Sequence, residues 1–327
     1  MAIAFSIALF IRCFLFGSYR ISSSCMEDSL LPGDYIIASK ISYGVRLPQT
    51  VLSIPLAHDS IHFLGMKAYS SRFQLPYHRI GKMKAKRNDI VLFNRPSQRK
   101  TDVPLDKQKI EISRIAGLPG DTLLFDEKLS FPIVINGKSS MESPLVKKFY
   151  SFPYAAINEM KSVLNASEGS PYQLFHKERD SLAFCLLNRL EYYKIKEDLP
   201  KSIALLPYSL HGESSSIVIP SRNMTVKMTP DNIKRYETII CCYEPVRALK
   251  MGNNIYVNSK KVTSYTFQYN YYWMLSDNRE ALSDSRYYGL IPETNIISKA
   301  SSIWFSVSSD RKSKSHFRWN RFFQIVR

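Results

Sequence analysis

From Ser22 onward the chain alternates short β-branched and aromatic runs with turn-forming residues. Tyr35-Ile36-Ile37-Ala38 follows Pro32-Gly33-Asp34, and Ile90-Val91-Leu92-Phe93 follows Asn88-Asp89. Ile112 to Ala116 runs into Gly117-Leu118-Pro119-Gly120-Asp121, and Thr122 to Phe125 comes next. Ile133-Val134-Ile135 precedes Asn136-Gly137, and Ile255 to Val257 and Ser302 to Ser306 continue the series. Short runs of this kind, bounded by Gly, Pro, Asn and Asp, read as strands joined by hairpins, so the fold class expected is mainly β. Between 138 and 233 the alternation loosens, and Pro153 to Leu164 and Glu178 to Leu187 read as mixed helical and loop segments. The pattern therefore predicts one β-rich domain over 18–137 and 234–327, interrupted by an inserted subdomain at 138–233.

The N-terminal pattern is different. Ala2 to Phe16 is apolar except at Ser6 and Arg12. At about 1.5 Å per residue a helix over this stretch is about 22 Å long, short of the roughly 30 Å hydrocarbon core of a bilayer. No Lys or Arg precedes Arg12, and Gly17-Ser18-Tyr19-Arg20 offers no A-x-A site, so a cleaved signal peptide fits poorly. A buried core helix would have to hide Arg12, whereas a membrane anchor lets it snorkel from one end. Residues 1–17 are expected to be an uncleaved anchor, a transmembrane helix that a few residues upstream of Met1 would bring to full length.

Composition narrows the classes. With 327 residues, 45% of them hydrophobic, the chain can bury a large core, which excludes wholesale disorder. A mean hydropathy of −0.20 excludes several membrane spans. The balance of 45 Lys+Arg against 28 Asp+Glu, +17, fits a polyanionic partner, either nucleic acid or an anionic membrane surface, and equally a solvated face. The basic residues are spread along the chain, with modest clusters at Lys82 to Arg87 and Arg311 to Arg321, and carry no nucleic-acid-binding signature. A lipid bilayer is the expected polyanion, and nucleic acid is not an expected partner. The five cysteines are odd in number and have no C-x-x-C spacing; His58 and His62 stand at i, i+4, but Asp59 follows His58 and Pro55 breaks the helix. Neither metal nor cofactor is expected.

Three stretches carry the candidate chemistry. The first is Ile21-Ser22-Ser23-Ser24-Cys25-Met26-Glu27-Asp28-Ser29-Leu30 with Pro32-Gly33-Asp34. The second is Arg87-Asn88-Asp89-Ile90-Val91-Leu92-Phe93, leading to Ser113-Arg114-Ile115-Ala116-Gly117-Leu118-Pro119-Gly120-Asp121. The third is Ser276-Asp277-Asn278-Arg279, with Ser283-Asp284-Ser285-Arg286-Tyr287-Tyr288-Gly289 close behind. Their order, behind an apolar N-terminus, resembles the signature boxes of bacterial type I signal peptidases. Tyr43-Gly44-Val45-Arg46-Leu47-Pro48 and Pro76-Tyr77-His78-Arg79 resemble the long-insert members found in Bacteroidetes-like bacteria.

The resemblance implies an anchored, β-rich domain on the outer, periplasmic side of the bacterial cytoplasmic membrane. There the family cuts exported preproteins after small-x-small motifs, using a Ser nucleophile and a buried neutral Lys as general base. In this chain Cys25 stands at the nucleophile position and Ser113 at the general-base position. The family's glycine near the Lys corresponds to Ser276, and the Ser that hydrogen-bonds its amine corresponds to Leu282. The oxyanion position, Ser23, is retained; Ile21 and Ile112 match positions lining the peptide pockets and Met26 and Leu30 match apolar positions beside them, each open equally to peptide contact or to an ordinary core role. Arg114 with Asp277, and Asp284 with Arg286, match structural ion pairs. On a strand, Glu111 shares the face of Ser113 and is the candidate substitute base, whereas Lys109 lies too far along the same face.

Two readings stay open at this point. In the first, the chain keeps the fold and a groove for exported signal peptides but is catalytically impaired, serving as a peptide-binding or accessory partner of an active paralogue. In the second, it is an active endopeptidase with Cys25 as nucleophile.

Overall fold

The computed structural model describes residues 3–326 except 5–6, 8–9, 28, 54–59, 62–65, 82, 98–102, 127–131, 136–147, 167–173, 177–180, 208–213, 279–282 and 309–315. The fold is β-rich with few helices. Its main sheet has seven strands: β1 (Phe16–Arg20), β2 (Asp34–Ser39), β3 (Ile90–Asn94), β4 (Ile110–Gly117), β5 (Tyr271–Leu275), β6 (Ile291–Pro292) and β7 (Ile296–Ser306), in the order β1-β2-β7-β3-β4-β5-β6. Every pairing in it is antiparallel.

The centre of the sheet is buried on both faces. Ile90 and Leu92 pack with Ile21, Met26, Leu30, Ile36 and Ile112, while Val91 and Phe93 pack with Tyr43, Ile115, Tyr272 and Met274. This is why the run at 90–93 is apolar without interruption: alternate residues of one strand feed two different cores. The turn between β1 and β2 needs Gly33, whose φ is +94° and where a Cβ would run into the Val307 carbonyl.

A second core joins Leu123, Ile219 and Trp273 to the inner face of α3 (Pro230–Cys242), through Ile233, Tyr236, Ile239 and Ile240. A third draws all its buried members from 150–205. There a four-stranded sheet, ordered Leu174–His176, Leu182–Leu187, Lys148–Pro153 and Leu206–Pro207, packs against α1 (Ile157–Ala166) and α2 (Arg189–Asp198).

The strands expected from the turn-bounded runs are all present. One local expectation is corrected. Leu182–Leu187, within a segment read as mixed helix and loop, is a strand paired on both sides, and the helix begins only after Asn188. Asn188 Oδ1 accepts from Glu191 N at 2.9 Å and Asn188 N donates to Glu191 Oε2 at 2.8 Å, a capping box that fixes the start of α2. A continuous apolar run does not by itself distinguish a buried strand from a helix, and here the two neighbouring strands decide.

At the N-terminus, Phe16 and Gly17, the last two residues of the expected anchor, belong to β1 and pair with Ser39 and Ala38. Ile3, Ile7, Phe10 and Ile11 are exposed. No helix among the described residues is long and apolar enough to cross a membrane. His58, His62 and Leu282 lie outside the described residues.

Candidate functional site

The site forms where three distant segments meet. β4 runs past β3 along its whole length, with Ile90 opposite Arg114 and Asn94 opposite Ile110. On its other side β5 pairs only as far as Leu275 opposite Arg114, so β5 leaves Ile110 to Ser113 uncovered on that edge. Chain segment 19–23 lies beside this stretch, and a cavity of about 120 Å³ separates them, lined by Ile21, Ser22, Ser23, Lys109, Glu111 and Ile112 among others.

The segment after β1 turns tightly into the site. Ile21 N donates to Asp34 O at 2.8 Å, and Leu30 N donates back to Met26 O at 2.5 Å. Asn278 clamps the turn, donating from its backbone N to Cys25 O at 3.0 Å and from Nδ2 to Ser24 O at 3.2 Å. Ile21, Met26, Leu30 and Ile112 meet in one apolar cluster with Cys25, so the apolar positions singled out from the sequence are neighbours in space.

Cys25 is 1% exposed. Its Sγ lies 3.0 Å from Ser23 Oγ and donates to the Ile112 carbonyl at 3.5 Å. Burial pushes the Cys25 thiol above its ordinary range; the charges of Glu111 and Asp284 push the same way, and the Ser23 hydrogen bond opposes them. Among the described residues Cys25 forms no ion pair with a cation.

Ser113 is fully buried and its single hydroxyl proton has the same Ile112 carbonyl at 2.7 Å as its acceptor, with Ser283 O at 3.3 Å as the alternative. Ser276, also fully buried, has a hydroxyl without a hydrogen-bond partner among the described residues. Glu111 and Lys109 both reach the groove, but Lys109 Nζ is committed to Glu111 at 3.0 Å, with Arg95 Nε at 3.7 Å on the other side. Around the thiol thus stand the Ser23 hydroxyl, the Ile112 carbonyl that it shares with Ser113, and the negative field of Glu111 and Asp284, while the Lys109 amine in the groove is paired with Glu111. Such a site presents polar groups and an apolar floor to a peptide backbone, and Glu111, the candidate substitute base, lines the groove with its carboxylate paired to Lys109.

Around it stands a rigid frame. Arg114 Nε and Nη2 grip Asp277 Oδ1 and Oδ2, both at 2.8 Å, in a fork that is almost completely buried. Nη2 also donates to Ser29 Oγ at 2.9 Å and Nη1 to Asn88 O at 2.9 Å. Ser29 Oγ in turn donates to Asp277 Oδ2 at 2.5 Å, so one guanidinium ties the first box to the second and third. Asp284 holds Arg286 in a second fork, Nε to Oδ1 at 3.0 Å and Nη2 to Oδ2 at 2.9 Å, and accepts from Ser276 N at 2.8 Å.

Sequence reasoning assigned no role to Asn278 or Ser29. Their signal was position: Asn278 is the third residue of the Ser276-Asp277-Asn278-Arg279 box, and Ser29 lies in the box of Cys25. The described residues contain no group of three His, Cys, Asp or Glu side chains able to hold a metal ion.

A family model described as signal peptidase, peptidase S26, matches residues 1–181 and 244–305. The chain is similar to signal peptidase I of Buchnera aphidicola subsp. Acyrthosiphon pisum, 26% identical over 316 residues that cover 92% of this chain and 72% of that one. It is 20% identical to signal peptidase I of Haemophilus influenzae over 341 residues, covering 98% of this chain and 73% of the relative. Signal peptidase I of Helicobacter pylori is 21% identical over 331 residues, with 98% and 89% covered. With most of its length inside the family model and the three boxes meeting at one groove, the chain belongs to the signal peptidase family, peptidase S26.

Proposed function

We propose that this chain serves signal-peptide processing as a membrane-anchored, catalytically impaired homologue. In this reading it holds the signal peptides of exported preproteins and assists an active signal peptidase paralogue. The similarity to signal peptidases I supports the processing role.

The observation that carries the impaired reading is the hydrogen bond from Cys25 Sγ to the Ile112 carbonyl. In a peptidase a base takes the proton of the nucleophile and later passes it to the leaving amine. A backbone carbonyl does neither, and the hydroxyl of Ser113 is bonded to that same oxygen. Burial and the nearby carboxylates further disfavour a thiolate.

Peptide binding asks for less. Ile110 to Ser113, which β5 leaves uncovered, is the edge for an added strand, whose N–H displaces the Cys25 and Ser113 donors from the Ile112 carbonyl. Main-chain hydrogen bonds along it would give affinity, and the pocket beside Ile21, Ser23 and Ile112 would select small side chains. Placement of the domain on the outer face of the cytoplasmic membrane, with the anchor within 1–17, draws on the exposed Ile3, Ile7, Phe10 and Ile11 and on the net charge of +17.

The test uses the full chain purified in detergent micelles with a fluorogenic A-x-A signal peptide. Binding without cleavage is expected, with Ser23→Ala and Ile112→Glu weakening it. Cleavage that disappears in Cys25→Ala overturns the impaired reading in favour of a cysteine peptidase.

A further inference from the structure

The loop that carries Ser23 and Cys25 is closed at its neck. Ile21 N donates to Asp34 O and Gly33 N to Ile21 O, both at 2.8 Å, and Leu31 N donates to Asp34 Oδ2 at 2.8 Å. Asn278 holds the carbonyls of Ser24 and Cys25, and Arg114 holds the hydroxyl of Ser29. A further clamp comes from a part of the chain that belongs to none of the three boxes.

The C-terminal segment returns along β7. β3 pairs with β7 only as far as Lys299, and beyond it Val326 N donates to Ser301 O at 3.0 Å and Ile303 N to Gln324 O at 2.8 Å. At the other end of the segment Arg318 N donates to Ser306 O at 3.0 Å, and Arg318 Nη2 reaches the carbonyls of Pro32 and Val307. Between these attachments Arg321 enters the Cys25 loop. Its Nε donates to Asp34 Oδ1 at 3.2 Å, and its Nη2 to Asp34 Oδ2 at 2.7 Å and to Ser29 O at 3.0 Å. Val326 packs on the apolar cluster that contains Ile21, Cys25, Met26 and Ile112.

Asp34 is fully buried, and burial pushes its carboxyl up; the bonds it accepts, that from Arg321 foremost, outweigh this and hold it below its ordinary value. The fork is therefore an ion pair, and the arginine is the more exposed partner. Ser29 is held by two guanidiniums, Arg114 at its hydroxyl and Arg321 at its carbonyl.

We infer that Arg321 is a positioning residue of the Ser23 groove, through which the C-terminal segment 316–326 sets the place of the Cys25 loop. Pairing with Asp34 alone would anchor the segment; the added bond to Ser29 ties it to the residue through which Arg114 reaches the first box. The contact of Ser23 Oγ with Cys25 Sγ at 3.0 Å and that of Cys25 Sγ with the Ile112 carbonyl at 3.5 Å depend on the loop's place to within a few tenths of an ångström. A loop released at Ser29 and Asp34 opens locally, while the sheet and the other cores stay folded. As a role in peptide holding this rests on the reading of the groove as a signal-peptide site; as a role in placing Cys25 it does not.

The test follows iodoacetamide alkylation of Cys25 by mass spectrometry in the full chain in detergent micelles, with Cys185 as internal reference. Cys185 is buried in the separate 150–205 core, so it reports global unfolding. Loss of one hydrogen bond to a charged group shifts a local opening equilibrium by about tenfold, so Cys25 in Arg321→Gln should react about tenfold faster than in the native chain, with Cys185 unchanged. Removing a nearby cation disfavours the thiolate, so a faster reaction reports access and not acidity. Arg321→Lys, which keeps a charge for Asp34 but cannot make all three bonds, should fall between the two and decides the matter if Arg321→Gln does not fold. Affinity for an A-x-A signal peptide should fall about tenfold in Arg321→Gln and recover in part in Arg321→Lys. An unchanged Cys25 rate, a parallel rise at Cys185, or unchanged peptide affinity in a variant whose Cys25 has become reactive overturns the inference. If the native chain binds no signal peptide, the processing role falls, and the ratio of Cys25 to Cys185 alkylation still decides whether Arg321 places the loop.

Discussion

Ser23 Oγ stands 3.0 Å from Cys25 Sγ, yet the thiol hydrogen is directed at the carbonyl of Ile112. The pair places two weakly acidic groups side by side with no base between them. Beside the pair, Ile110 to Ser113 form a stretch of strand that β5 leaves unpaired, which is the basis of the peptide-holding role proposed above.

The buried thiol should resist modification. In the folded chain at pH 8, alkylation of Cys25 by iodoacetamide, followed by mass spectrometry, is expected to be at least about tenfold slower than in urea, because both access and thiolate fraction are reduced. Equal rates in the two states would show an exposed, activated thiol and would contradict the geometry.

Restoring the family's chemistry should restore function if the scaffold is intact. In cells depleted of their own signal peptidase, the variant Cys25→Ser, Ser113→Lys, Ser276→Gly, Leu282→Ser is expected to support growth and the native chain is not. Inserting a lysine at fully buried Ser113 risks overpacking worth about 1–3 kcal/mol, which Ser276→Gly is placed to relieve. Rescue by the native chain would sink the impaired reading.

Arg114→Ala should be among the most destabilising single changes. It leaves Asp277, 1% exposed, as a buried charge without its fork, at a cost of about 3–5 kcal/mol. Urea unfolding measures it. Arg114→Lys should recover only part of the loss, since a lysine cannot reproduce the two parallel bonds. A change below about 1 kcal/mol would mean that the three boxes are held together by other means.

Stability should fall on the alkaline side. Burial pushes the Cys185 thiol up to about 12, and the phenols of Tyr236 and Tyr288 are raised by burial as well. A raised acid keeps its proton when folded and loses it first when unfolded. The unfolded state then binds fewer protons, and unfolding free energy declines with pH. For Cys185 the window opens near pH 9 and closes near 12, with a slope of about 1.4 kcal/mol per pH unit at most. Urea midpoints at pH 8, 9.5 and 10.5 should drop steadily, and Cys185→Ala should make the drop shallower; a flat profile would contradict it.

Much of the fold was legible in the chain because strand-forming runs and their turns are local. The runs at 35–38, 90–93 and 112–116 carry their own boundaries in Pro32-Gly33-Asp34, Asn88-Asp89 and Pro119-Gly120-Asp121, and each became a strand of the main sheet. That Cys25 precedes Met26 and Ser113 precedes Arg114 was equally legible, since residue identity needs no coordinates. Leu182–Leu187 was not, because an apolar run carries no period and its conformation was set by strands at 148–153 and 174–176.

The sequence by itself determined which chemical groups this protein has and in what order, including the absence of a lysine before Arg114. Only the tertiary structure decided what those groups face. Pairing across long separations put Arg114 against Asp277, 163 residues on, and set Arg46 opposite Arg79. It also turned the Cys25 thiol toward a carbonyl 87 residues away. Hydrogen bonds and ion pairs act over a few ångströms, so their partners depend on which strands the chain brings together, and no local pattern of residues encodes that choice.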